Sequence, residues 1–331
     1  MASPAAFSPI SSTKNSLNLP DVNHSLSDET ILCLEIGHTR IKAANLPRTV
    51  TLKNLQNVQT LAFPSKPWLD KLNLLFIKFQ DNPLSPLFNE RPSRISISIF
   101  GPLYDNKRMP FNEKMGIPKN IKEVLQRETD YEVLLETDSV SWAIGALEYL
   151  KMKLQQPKFP CLAITLGTGV GMALIENEHK IHAIEIWCMD CSFPRMRTLT
   201  DLRCPPSVLG KKHLDNLFNG EQFTDEKMVD YRSTYNKQFE AFVEDVCEYV
   251  QTLFSQTIST VLIGGGYSRF IEISENAPRS TIVLNPQALQ EDGVSPDIIP
   301  LLGCQRTCQE NRFATSTYPL SPEIARFLSK V

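Results

Sequence analysis

Cys161-Leu-Ala-Ile-Thr-Leu-Gly-Thr-Gly-Val-Gly-Met-Ala-Leu-Ile175 is the stretch whose reading decides the fold. Two apolar runs of strand length, Cys161–Leu166 and Gly171–Ile175, flank Gly167-Thr168-Gly169, and that pattern predicts a buried hairpin. Three glycines in so short a span let the backbone approach an anion closely and aim N–H groups at it. The same plan occurs earlier. Ile31-Leu-Cys-Leu-Glu-Ile36 is broken by Gly37 and followed at once by Thr39–Leu46, with Glu35 and Thr39 supplying an acid and a hydroxyl beside the turn. A third glycine turn, Gly264-Gly-Gly266, closes the apolar run Thr260–Ile263 and opens a helical stretch. At such a strand-to-helix junction, free N–H groups and the helix dipole favour a nucleotide.

Working outward, Pro67–Phe79 carries apolar residues at a helical period. Arg94–Phe100 alternates isoleucine and serine as a strand ending at Gly101-Pro102. Ile117–Thr129 reads as a helix with Pro118 in its first turn, Tyr131–Glu136 as a strand, and Asp138–Leu154 as a helix that opens directly after it. Beyond the second hairpin, helices dominate Ser207–Thr257, and Ser268–Ser274 and Thr281–Leu284 read as a helix and a strand. Two blocks thus each begin with a hairpin around a Gly-Thr turn and run on into alternating strands and helices. That organisation predicts two related α/β lobes with a hinge near Leu154–Pro160. The expected division is a loose, Ser- and Pro-rich arm over 1–29, a small lobe over 30–154, a large lobe over 155–316 and a C-terminal helix over 317–331.

Bulk composition narrows the function classes. The 331 residues are 42% hydrophobic and 21% charged with a formal net charge of −3, the profile of a soluble globular protein. No basic surplus is present to meet nucleic-acid or membrane phosphates, so neither partner is expected. No apolar run approaches the roughly 20 residues that span a bilayer. Eight scattered cysteines without a secretory pattern in Met1–Ser12 read as free thiols of a reducing cytoplasm.

Phosphoryl transfer needs exposed N–H groups at tight turns, small hydroxyls, a metal-associated acid and a positioned base. The three turns meet the first two needs, Glu35 the third, and Asp138 the fourth, since it stands at a strand-to-helix junction between the first two turns. An Asp opening a helix also serves as an N-cap. The flanking turns favour the base.

From about Ile31 to Cys308 the chain resembles the ROK family of bacterial sugar kinases and repressors. Glu35-Ile-Gly-His-Thr-Arg-Ile-Lys-Ala43 resembles its Asp-Ile-Gly-Gly-Thr-Lys hairpin, and Ile97-Ser-Ile-Phe-Gly-Pro102 its Ser-x-Pro-Gly-Pro turn. Glu136-Thr-Asp-Ser-Val140 resembles Glu-Asn-Asp-Ala-Asn, Glu185-Ile-Trp-Cys188 resembles Glu-Ile-Gly-His, and Ile263–Ser268 the adenosine motif. The resemblance implies a two-lobed, actin-like (ribonuclease H-like) ATPase fold with an interlobe cleft. It also implies a glucokinase-like hexose kinase of glycolysis using ATP and Mg2+, and a homodimer. Asp138 is placed as the base. Gly37, Thr39, Arg40, Thr165, Gly167, Thr168, Gly169, Gly264, Gly265 and Gly266 are placed on ATP. Gly101, Asn112, Thr137, Asp138, Glu185 and Cys188 are placed on the sugar, and Glu35 on magnesium.

Departures fall mostly on the sugar side. His38 stands where glycine is usual and would crowd a phosphate if its φ were positive. Phe100 stands for Pro, Thr137 for an Asn that holds sugar, and Cys188 for a zinc-binding His, and the usual Cys-rich zinc loop is missing. Cys188, Cys191 and Cys204, with His179, His182 or His213, suggest a zinc set. Lacking a second close pair, they are read as plain thiols without zinc. The alternative to a kinase is a catalytically degenerate protein of the same fold that binds a sugar or nucleotide as a regulator. No helix-turn-helix pattern precedes Ile31, which argues against a DNA-binding repressor.

Overall fold

The computed structural model describes residues 29–69, 74–75, 82–101, 103, 120–129, 131–185, 194–195, 209–211, 214, 225–273, 279–310, 314 and 316–318. Within them two sheets repeat one topology. In the first, β1 (Thr30–Ile36), β2 (Arg40–Pro47) and β3 (Leu61–Pro64) run antiparallel, and β4 (Arg94–Ile99) and β5 (Val133–Thr137) add in parallel on the far side of β1. In the second, β6 (Cys161–Leu166), β7 (Val170–Asn177) and β8 (Lys180–Ile184) run antiparallel, and β9 (Thr260–Gly264) and β10 (Ser280–Leu284) add in parallel beside β6. The orders are β3-β2-β1-β4-β5 and β10-β9-β6-β7-β8, the latter extended by β11 (Ser316–Tyr318). The middle strands β1 and β6 bury apolar residues on both faces, as strands covered on both sides do.

Alternation along β1 sends Ile31 and Cys33 to one core and Leu32, Leu34 and Ile36 to another. Along β6, Cys161 and Ala163 share the first of those cores, while Leu162, Ile164 and Leu166 join a third. The shared core therefore lies between the sheets. It is filled by α4 (Asp138–Met152) and α7 (Ile298–Glu310), and the outer face of the second sheet is covered by the long α5 (Asp225–Phe254). Among the described residues, α1 (Leu52–Gln56), α2 (Ser85–Asn89), α3 (Ile121–Thr129) and α6 (Pro286–Glu291) are short helices.

Glycine sets how closely α4 and α7 cross. A Cβ at Gly145 would lie 1.8 Å from the Ile299 carbonyl oxygen, and one at Gly303 would lie 1.7 Å from that of Ser141. α4 touches β4 and β5 of the first sheet and β6, β7 and β8 of the second, so one rigid helix indexes both sheets. Its far end is tied down by Asp292, which takes bonds from Tyr149 Oη and Lys153 Nζ while its carbonyl accepts Gln56 Nε2 at 2.8 Å.

Two parts of the expected division change. Residues 298–310 were assigned to the second lobe, yet α7 packs on β1, β2 and β4 of the first sheet. Gln305 fixes it there by donating to the carbonyls of Pro47 and Arg48. Thr317 and Tyr318, expected to begin a helix, form β11 beside Ala183 and Ile184, and residues 319–331 lie outside those described. Of the helical stretch expected over 67–79, only 67–69 and 74–75 are described, in turns and 3-10 geometry. The helix expected after the third glycine turn is a 3-10 turn, Gly266–Phe270.

Candidate functional site

The carboxyl ends of β1, β4, β5, β6 and β9 converge on the first turn of α4. Ile36, Ile99 and Thr137 lie side by side in the first sheet, so Gly37, Phe100 and Asp138 leave the sheet together. In the second sheet Thr165 pairs with Gly264, which brings the Gly167–Gly169 and Gly265–Gly266 turns next to each other. Ligands of open α/β sheets collect at such strand ends.

α4 touches both turns of the second sheet. A Cβ at Gly171 would meet the Ser139 Cβ at 3.3 Å, and one at Gly264 would strike the Trp142 ring at 2.0 Å. Across from them, Thr39 Oγ1 of the first hairpin lies 3.5 Å from Thr168 Oγ1 of the second. All three glycine turns therefore meet around Asp138.

The turns differ in what glycine does. Gly37 donates to the Arg40 carbonyl at 3.0 Å, and a Cβ there would lie 2.9 Å from that oxygen. Gly265 has φ +88°, and its Cβ would lie 2.5 Å from the Leu166 carbonyl, so its glycine is required by the fold itself. Gly169 is exposed and nothing lies within 4 Å of its Cβ position. Gly266 is likewise open. Thr168 and Gly167 are half-buried beside them, and Lys211 donates its backbone N–H to the Gly167 carbonyl at 3.1 Å. Thr165 sits below the turn, its hydroxyl 3.3 Å from the Gly171 carbonyl.

Thr137, not Asp138, occupies the N-cap of α4, and it makes no side-chain capping bond. Asp138 is the first helical residue; its Oδ1 accepts the Ser139 N–H at 2.8 Å, and it stays partly open to the cleft. Burial, followed by the negative charge of Glu35, pushes its pKa up to about 7, against the Ser139 bond and the positive charge of Lys42. A carboxyl poised near neutrality is suited to take a proton. The Thr137 hydroxyl is buried with no bonding partner.

Sequence reasoning missed three neighbours. Lys42 sits opposite Glu35 in the β1–β2 register, its Nζ 2.6 Å from Glu35 Oε2 and 3.4 Å from Asp297 Oδ1. The signal was available, because Lys42 interrupts the apolar run Ile41–Ala44 and is paired across the hairpin with the one charge of β1. Asp297 gave no signal before α7 was placed. Glu136 lies fully buried: its Oε1 accepts the Thr137 N–H and its Oε2 the Ala314 N–H, both at 2.7 Å. Burial outweighs those bonds and raises its pKa to about 7.

Glu35 does not fit a metal ligand with both oxygens free, because the Lys42 ammonium already sits on its Oε2. His38 is not among the residues of positive φ, so its side chain brings no backbone strain. Its ring packs edge-on against Phe100, centroids 5.8 Å apart, and its carbonyl accepts Ser65 Oγ at 2.8 Å. Two departures from the family pattern thus support each other. Arg40 is exposed at the start of β2, Gly101 turns with φ +90° after Phe100, and Glu185 is buried at the end of β8. Asn112 and Cys188 lie outside the described residues, as do Cys191, Cys204 and His213. Of the other two histidines, His179 is exposed, and His182 Nε2 is 2.6 Å from Glu176 Oε1.

No family profile and no curated protein matches this sequence. Solved structures do match the fold. A ROK family glucokinase from Streptomyces griseus, in complex with glucose and AMPPNP, aligns over 83% of this chain and 98% of its own at 15% identity, TM-score 0.55. The inorganic polyphosphate/ATP-glucomannokinase of an Arthrobacter strain aligns over 86% and 99% at 15% identity, TM-score 0.54. A ROK family protein from Streptococcus pneumoniae, in complex with sucrose, aligns over 86% and 100% at 14% identity, TM-score 0.54. At these identities the likeness establishes the fold, which is the two-lobed, actin-like arrangement of the ROK-family sugar kinases. Among the described residues no helix is long and apolar enough to cross a membrane.

Proposed function

We propose that this chain is an ATP-dependent sugar kinase of the cytoplasm, with a hexose as acceptor and Asp138 as the general base. One observation carries the reading: the first turn of α4 brings a carboxyl with a pKa of about 7 to the point where three glycine turns from two lobes meet. A nucleoside triphosphate would lie along the Gly167–Gly169 and Gly265–Gly266 turns, at their exposed Gly169 and Gly266, with Thr39 and Thr168 on either side of its phosphates. Asp138 then takes the proton of a sugar hydroxyl, that oxygen bonds to the γ-phosphorus, the bond to the β–γ bridging oxygen breaks, and ADP leaves.

Mg2+ arrives with the triphosphate, and the Lys42 ammonium on Glu35 Oε2 argues against Glu35 as its ligand. Thr137, Gly101 and Glu185 are the described residues on the acceptor side, with Asn112 and Cys188 assigned there on the motif alone. Glucose is the default acceptor, ahead of N-acetylmannosamine and other hexoses, because one solved structure of this fold is a glucokinase in complex with glucose and another is a glucomannokinase by name. Five buried free thiols, Cys33, Cys161, Cys247, Cys304 and Cys308, suit a reducing compartment. A homodimer belongs to the same proposal.

A screen of ADP release over a hexose panel tests it. Turnover on at least one hexose is expected, and no turnover on any would overturn it. A second reading, a regulator that binds without turnover, is favoured by the Glu35–Lys42 ion pair, which engages the acid that the resemblance assigns to magnesium. Saturable sugar or ATP binding by calorimetry, with no ADP formed, would select that reading.

A further inference from the structure

The charge arrangement beneath Asp138 deepens the kinase reading, on which it rests for its meaning, though its test needs no turnover. Lys42 extends from β2 between two carboxylates of different elements, Glu35 of β1 and Asp297 just before α7, at 2.6 and 3.4 Å. The three side chains are only 21%, 17% and 25% exposed.

A hard divalent ion needs free carboxylate oxygens at about 2.0–2.1 Å and gives up its waters reluctantly. Here the acid that stands for the family's metal-associated Asp already holds a cation on Oε2, and that cation repels a second one. Among the described residues no group of three His, Cys, Asp or Glu side chains is disposed to hold a metal. We infer that Lys42 is the resident counter-ion of Glu35 and Asp297 and stands in for a protein-bound divalent ion in this cleft. The protein itself then recruits no divalent ion, and Lys42, one strand over from the acid, supplies the compensating charge.

The test is titration of the full, nucleotide-free chain with Mn2+, read by electron paramagnetic resonance. Wild type should show no saturable binding up to about 1 mM. Lys42→Ala frees Glu35 and Asp297 and should tighten Mn2+ binding by about tenfold or more. Lys42→Arg should not, and Lys42→Ala combined with Glu35→Gln should lose the gain. Saturable binding by wild type that disappears in Glu35→Gln would overturn the inference, whether or not Lys42→Ala folds. A folded Lys42→Ala chain without any gain would overturn it as well. Failure to phosphorylate any sugar would sink the kinase reading and leave this result untouched.

Discussion

Glu35→Gln should move the acid limb of the kinase pH profile downward. Asp138 has a pKa of about 7 because burial raises it first and the charge of Glu35 second, while Lys42 pulls it down. The substitution removes the raising charge and releases Lys42 from one of its two partners, so both changes favour ionised Asp138. A neighbouring unit charge shifts a carboxyl by about 1–3 units. Asp138 is partly open to the cleft, so the low end applies and the limb should end about one unit lower. The base must be ionised to work, so wild-type kcat/KM should rise about tenfold per unit below 7 and level off above it. At pH 6 wild type has about one tenth of Asp138 ionised and Glu35→Gln about half, a roughly fivefold advantage relative to each plateau. ADP release measured from pH 5 to 9 reads this directly, and titration of the nucleotide is common to both proteins. A limb that stays in place or moves upward would refute the coupling between Glu35 and Asp138.

Gly169→Val should weaken ATP binding by about tenfold or more at unchanged melting temperature, since its side chain enters space with no atom within 4 Å; calorimetry showing wild-type affinity would refute a nucleotide role for that turn. Gly265→Val should instead damage the fold, because φ is +88° and Leu166 lies in the way. Gly303→Ala should lower stability by about 1–3 kcal/mol or more in urea unfolding, given the Ser141 carbonyl 1.7 Å from the new Cβ. An unshifted midpoint would show that α4 and α7 do not cross so closely. Glu136, raised from 4.5 to about 7, keeps its proton in the folded chain where the unfolded chain has lost it. Its contribution is therefore full below pH 4.5 and lost as pH rises through 7, by roughly 3 kcal/mol at 1.36 kcal/mol per unit. Glu136→Gln should flatten that part of the stability–pH curve, and identical slopes would contradict the assignment.

The two hairpins and the strand-to-helix step at Asp138 were legible in the sequence because each is local: an apolar run, a glycine turn, a second run. What was not legible depends on distant pairings. Residues 298–310 read as part of the second lobe because they follow it in the chain, but Gln305 bonds to Pro47 and Arg48 and Gly303 meets Ser141. Those contacts exist only once both lobes are assembled. Asp297 entered the site by the same route. Asp138 as an N-cap was a reasonable local rival, and the structure moves the cap to Thr137 by a single residue. The glycines looked equivalent in sequence, yet Gly265 is needed for backbone conformation and Gly169 for open space. Only φ and neighbours separate the two.

The account rests on proton transfer to Asp138, and comparing turnover of Asp138→Asn with wild type measures it most directly. Asparagine keeps the shape and an oxygen that can accept the Ser139 N–H, held at 2.8 Å in the native chain, but it cannot take a proton. Hexose-dependent ADP release should fall about 10²-fold or more, with the melting temperature unchanged or raised, because a half-buried carboxylate has been neutralised. An Asn variant that phosphorylates the same sugar at the wild-type rate would contradict the mechanism.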